Sequence, residues 1–213
     1  MRLFAAVWPP TDVLDHLDLA LAAVRPRGPG GDEAVRWTAR DAWHLTAAFY
    51  GSVPDALADD LATGLDDLAA GTAPFELALR GAGVFSHRTL WVGVGGDVEA
   101  MNRLAAGARA VGDAVGARPD ERARNRPHLT VGRARPGSRP PRRRGQVRGA
   151  RGPGERAPDA LPQDPVDVVA QALAVYDGPA WWVHAITLVE SRPGEGRGGG
   201  PLYTTVREHA LGG

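Results

Sequence analysis

Two tripeptides in this chain carry residue types that do chemistry together. His44-Leu45-Thr46 recurs as His128-Leu129-Thr130, 84 residues later. Ten of 213 residues are Thr, so a given His has Thr two positions on about one time in twenty, and two such hits among six His are unusual. Each copy falls in a strand-like segment and lies upstream of a glycine, Gly51 and Gly132. In a strand, side chains at i and i+2 share a face, roughly 7 Å apart. Each motif therefore presents one imidazole and one hydroxyl on a surface. Leu45, Ala47 and Phe49 are expected to point the other way into a core, as are Leu129 and Val131.

Two imidazoles titrate near neutrality and can serve as acid and base in one displacement. Two hydroxyls can donate to the non-bridging oxygens of an anion held between them. That set suits phosphoryl transfer without a metal. No acidic cluster accompanies the motifs, so a two-metal site is unsupported and no cofactor is expected.

The elements that must position these side chains follow from periodicity. Leu3 to Trp8 reads as a strand closed by Pro9-Pro10, and Asp12 to Val24 as a helix with Thr11 at its N-cap. Val35 to Thr38 and His44 to Tyr50 are strands. A helix starts near Pro54, with Leu57, Leu61, Leu65 and Leu68 inward, and Gly71 stops it. Phe75 to Phe85 and Thr89 to Val94 form a hairpin around Ser86-His87-Arg88. A helix over Val98 to Val115 and a strand over His128 to Arg133 follow. Residues 135–163 are aperiodic and rich in Pro, Gly and Arg, and residues 136–163 read as a flexible insertion. A helix from Pro165 to Ala174 is capped by Asp164. Trp181 to Glu190 and Leu202 to Ala210 read as the closing strand pair, around a Gly-rich turn. This order points to an α+β fold of antiparallel sheets flanked by helices, not to regular βαβ units.

Composition narrows the class. All 25 basic residues are Arg, balanced by 25 acidic ones, and Cys is absent. A disulfide scaffold, a thiolate zinc site and a Cys nucleophile are thereby excluded. At 43% hydrophobic residues the bulk of the chain can build a core. No apolar run approaches the ~20 residues needed to span a bilayer, and the first apolar stretch is too short for a secretory signal. A soluble, cytoplasmic, monomeric protein without membrane association is expected.

The phrases His44-Leu45-Thr46-Ala47-Ala48-Phe49-Tyr50-Gly51 and Pro127-His128-Leu129-Thr130-Val131-Gly132-Arg133 resemble the 2H phosphoesterase superfamily. The likeness is to its RNA 2′,3′-cyclic phosphodiesterases, also called 2′-5′ RNA ligases. Arg2 to Val7 and Leu188-Val189-Glu190-Ser191 also look like that family. The resemblance covers nearly the whole chain except about residues 136–163. It implies a single domain over residues 1–213, with two lobes related by a pseudo-two-fold and one motif on each side of a cleft. It implies hydrolysis of an RNA or nucleoside 2′,3′-cyclic phosphate to the 2′-phosphate, with a reverse ability to join RNA ends. His44 then matches the general acid and His128 the base, although two nearly identical motifs leave the order of roles open. Thr46 and Thr130 match phosphate-holding hydroxyls, and Arg133 is placed to pair with the phosphate. Ala47 and Tyr50 stand where relatives usually carry bulkier aliphatics. Two other readings remain: a non-catalytic RNA-end or nucleotide binder, and a 2H enzyme for another small cyclic phosphate or a 2′-5′ oligonucleotide.

Among the remaining residues, Trp8, at a strand end before two prolines, is the one candidate for stacking on a nucleobase. Between Arg118 and Arg156, Arg outnumbers Asp and Glu by ten, which reads either as a solvated loop or as an attraction for RNA phosphates. His16, His87, His184 and His209 carry no functional signal.

Overall fold

The computed structural model describes residues 1–25, 34–117, 126–137 and 164–212. Residues 138–163 of the insertion expected over 136–163, and most of the Arg excess, therefore lie outside the described residues. Those described form β1 (Arg2–Val7), α1 (Thr11–Val24), β2 (Val35–Trp37), β3 (Leu45–Ser52), α2 (Ala58–Ala70), β4 (Phe75–Phe85), β5 (Thr89–Gly96), α3 (Val98–Ala114), β6 (His128–Ala134), α4 (Pro165–Ala172), β7 (Asp177–Val183), β8 (Ala185–Arg192) and β9 (Leu202–Ala210).

Every strand pairing is antiparallel. The order is β7-β4-β5-β6-β3-β1-β8-β9, with β2 also paired to β6. Two well-paired halves meet at β6 and β3, which share a single register pair, Leu45 with Leu129. The α+β class and the antiparallel pairing are as expected from the sequence; the two sheets expected there are two halves of one nine-stranded sheet, joined where β6 meets β3. Helices α1 and α4 pack against the β7-β4-β5 half, and α2 and α3 against the β3-β1-β8-β9 half.

One face of the sheet holds the main core. Leu3, Ala5 and Val7 of β1 enter it with Leu45, Leu129 and Val131, and Leu17, Leu61, Leu65, Met101 and Leu104 come from the helices. Leu45 and Leu129 are wholly buried, and burying each contributes about 1.5–3 kcal/mol. That burial fixes which face of the central strands the His and Thr side chains occupy. The alternate residues of β1, Phe4 and Ala6, form a smaller cluster on the opposite face with Val189, against which Trp8, Phe49 and Tyr203 pack.

Four local expectations are corrected. Phe49 leaves the main core, because β3 bulges at Ala47: Ala5 pairs with Ala48 and Ala6 with Thr46. The extra residue flips the alternation. It turns Phe49 toward the smaller cluster and drives Tyr50 into the core, where its hydroxyl donates to the Ala108 carbonyl at 3.0 Å. Gly112 makes that room, since a Cβ there would lie 2.7 Å from the Tyr50 ring. Trp181 to Glu190 is not one strand. It breaks at His184 into β7, which pairs with β4, and β8, which pairs with β1 in the other half. The segment runs on with no Pro or Gly, so nothing local marks the switch of partners. Thr11 is the first helical residue and Pro10 the N-cap, whose carbonyl accepts from Leu14 N–H at 3.1 Å. His44 precedes β3 instead of opening it, and a 3-10 turn at Asp55–Leu57 leads into α2. The Asp164 cap on α4 is as expected, accepting from Val166 N–H. Among the described residues, no helix is long and apolar enough to cross a membrane.

Candidate active site

The Leu45–Leu129 pair lies at the centre of the site. Because the strands run antiparallel about it, His44 lies across from Thr130 and Thr46 across from His128, all four on the face opposite the core. They line one cleft of about 780 Å³. The structure thus brings together both tripeptides, and Arg133 with them. Arg133 arrives by a bulge: Leu90 pairs with Gly132 but Trp91 with Thr130. The extra residue, Val131, reverses the alternation beyond it, so Arg133 shares the cleft with His128 and Thr130 although it stands an odd number of positions away.

Both imidazoles are held the same way. His44 Nδ1 is 2.9 Å from the Ala42 carbonyl, and His128 Nδ1 is 2.9 Å from the Arg126 carbonyl. A carbonyl only accepts, so each Nδ1 carries the proton and donates it. On a ring protonated at Nδ1, Nε2 is the nitrogen that can take up and give back a proton. Thr46 Oγ1 lies 3.1 Å from His44 Nε2 and donates to it while the ring is neutral.

The surroundings differ. His44 is packed among aromatics: Trp8 stacks on it at 4.9 Å, Phe4 lies at 4.9 Å, and Tyr203 meets it edge-on at 5.3 Å. Burial pushes the His44 pKa down to about 4, the hydrogen bond to Ala42 pulls it up, and charge on His128 lowers it again. At that value His44 is neutral at pH 7. Around His128, Phe85 lies edge-on at 4.9 Å and Trp91 at 6.4 Å. Phe85 and Trp91 stack on each other, and Arg126 lies over the Trp91 ring.

Trp8, the stacking candidate, has one ring face taken by His44 and is not part of the cleft lining. Sequence reasoning missed four lining residues, Arg36, Trp37, Arg197 and Tyr203. Only the pairing of β2 with β6, and the return of the β8–β9 loop over the cleft, bring them there. The Gly-rich turn is a 3-10 turn at Arg197–Gly199, with Gly198 and Gly199 at positive φ. Away from the cleft, His209 is buried, with Nδ1 2.6 Å from Asp66, which also pairs with Arg207. His184 is exposed at the strand break. Among the described residues, no three His, Asp or Glu side chains come together in a way that could hold a metal ion.

The 2′-5′ RNA ligase superfamily model matches residues 13–178. Among curated proteins, the RNA 2′,3′-cyclic phosphodiesterase of Geobacillus stearothermophilus is 34% identical over 108 residues, 49% of this chain but only 34% of that protein. The RNA 2′,3′-cyclic phosphodiesterase of Methanothermobacter thermautotrophicus is 29% identical over 139 residues, 63% of this chain and 72% of that one. Among solved structures, TT0787 of Thermus thermophilus superposes with a TM-score of 0.68 at 26% identity, covering 100% of this chain and 99% of that one. LigT of E. coli, solved in complex with 3′-AMP, superposes with a TM-score of 0.63 at 23% identity, over 99% and 96% of the two chains; this second likeness is one of fold.

Proposed function

The chain belongs to the 2′-5′ RNA ligase superfamily, and from that membership and the cleft we propose that it is a 2H phosphoesterase that hydrolyses the 2′,3′-cyclic phosphate of an RNA end or nucleotide to the 2′-phosphate, without a metal. The observation that carries this reading is the antiparallel placement of two His/Thr pairs on one face about the Leu45–Leu129 pair. The names of the two curated relatives support the substrate.

The cyclic phosphate sits between the Thr46 and Thr130 hydroxyls, which donate to its non-bridging oxygens. A water oxygen attacks phosphorus while one Nε2 takes its proton. The bond from phosphorus to O3′ breaks, and the other imidazolium delivers a proton from Nε2 to O3′. The 2′-phosphate and a free 3′-hydroxyl result. The resemblance gives the acid role to His44. With a pKa of about 4, His44 takes up that proton only as the anion arrives, since a nearby negative charge favours imidazolium. With a 5′-hydroxyl RNA end attacking phosphorus in place of water, the same steps join the ends through a 2′-5′ bond, and run backwards they cleave that bond to the cyclic phosphate and a 5′-hydroxyl.

Wild-type protein incubated with a nucleoside 2′,3′-cyclic phosphate should release the 2′-phosphate, at a rate unchanged by EDTA. A 3′-phosphate product, or a rate that collapses with chelator and returns with a divalent cation, contradicts the mechanism. Tight binding of the 2′-phosphate with no turnover leaves a nucleotide-binding cleft in place of an enzyme.

A further inference from the structure

The two histidines are aimed by carbonyls that are not equally secured. The Ala42 carbonyl, which accepts from His44 Nδ1, belongs to the 3-10 turn Arg40–Ala42. Several independent contacts hold that turn. Trp43, the next residue, is buried, and its indole N–H donates to the Thr38 carbonyl at 3.1 Å. Arg40 ties the turn to the start of α1, pairing with Asp15 at 2.6 Å and donating to the Thr11 carbonyl at 3.0 Å.

The carbonyl that accepts from His128 Nδ1 is that of Arg126. Pairing of β5 with β6 ends at Gly93 and His128, so this carbonyl lies just beyond the ladder. Pro127 narrows its freedom, because the residue before a proline is confined to extended backbone. That sets the direction of the carbonyl relative to its own Cα and leaves the place of the Cα to be fixed. The Arg126 side chain supplies a tether. It is not part of the described cleft lining; its guanidinium lies over Trp91, 4.8 Å from the ring centroid.

Trp91 is a firm seat. It is buried, stacked on Phe85, and laid against Gly83 and Gly93, where a Cβ would crowd the indole. A planar guanidinium is held on such a ring by cation–π attraction and stacking. Phe85 and Trp91 also face the His128 ring, at 4.9 and 6.4 Å. One rigid aromatic pair therefore holds the imidazole directly and, through Arg126, the carbonyl that aims it.

We propose that Arg126 is a positioning residue for His128, and that it acts by stacking on Trp91 and not by touching substrate. Held there, its carbonyl keeps the proton on Nδ1 and leaves Nε2 as the basic nitrogen. The proposal rests on the phosphoester reading, which gives His128 a proton to transfer. It also takes Arg126 out of the Arg excess that reads as an attraction for phosphates.

Two measurements test this. Nitrogen-15 NMR of the imidazoles at about pH 8.5, above the ordinary imidazole range, reads the tautomers without substrate. Wild-type His128 should be protonated at Nδ1. Arg126→Ala should bring up the Nε2-protonated form of His128 and leave the His44 signals in place. The second measurement is turnover of a nucleoside 2′,3′-cyclic phosphate. Arg126→Ala should lower kcat about tenfold with KM within about twofold, at low and high salt alike, since small misplacement of a reacting group is costly. Arg126→Met keeps a long side chain on the indole without the charge, and should win back about threefold of that loss. An unchanged tautomer or an unchanged kcat in Arg126→Ala overturns the proposal. So does a loss that falls on KM, fades with salt and is as large in Arg126→Met, which would make Arg126 a phosphate attractant. A tautomer that shifts in a protein whose wild type shows no turnover keeps the positioning role and removes the catalytic reading. Wild-type turnover with tautomer and kcat untouched by the substitution does the reverse.

Discussion

The same tripeptide sits in two unequal settings. His44 lies under Trp8, beside Phe4 and against Tyr203, and burial pushes its pKa down to about 4. His128 is met edge-on by Phe85, with the indole of Trp91 behind it. Both rings donate from Nδ1 to a backbone carbonyl two residues upstream, so tautomer and aim match. What differs is the set of aromatic rings placed around each. Two identical motifs can therefore be assigned different proton-transfer roles by their neighbours, with no change in the motifs themselves.

The larger of two effects that separate these settings is on acid stability. Protonating His44 in the folded state is disfavoured: its pKa falls from 6.5 to about 4. The unfolded chain therefore binds more protons between those values, and stability rises with pH across that window. The contribution is complete above about pH 6.5 and is lost as pH falls toward 4. It is at most about 3 kcal/mol for this half-buried ring. Denaturant titrations of wild type and His44→Gln from pH 7 to 4 should show a shallower acid loss in the variant. Parallel curves would mean that the aromatic packing does not desolvate His44.

A smaller effect probes the other half. A Cβ at Gly83 would collide with the Trp91 indole, which is rigid and stacked on Phe85. Gly83→Ala should therefore displace the wall beside His128 and lower kcat by roughly tenfold, since sub-ångström misplacement of a reacting group is costly. The His44 ring should be unaffected, and its NMR titration should not move. A shift in His44 alone would show that the two halves are not independently walled.

Much of this was legible in the sequence. The paired motifs, the apolar residues behind them, the β4–β5 hairpin and the Asp164 cap are all local patterns. The illegible parts arise from long-range pairing. The bulges at Ala47 and Val131, which redirect Phe49 and Arg133, exist only relative to a partner strand. The break at His184 is set by β4 and β1 competing for one apolar run. Arg36, Arg197 and Tyr203 carry no motif and join the cleft through the β2–β6 register and the β8–β9 loop.

The central claim is that His44 and His128 act on one substrate as a pair, and a double-mutant cycle on kcat/KM for a 2′,3′-cyclic phosphate tests it most directly. His44→Ala and His128→Ala should each lower the rate by about 10²–10⁴-fold, and the double variant should be little worse than either single one. Two losses that multiply, or a single variant that keeps the wild-type rate, would contradict it.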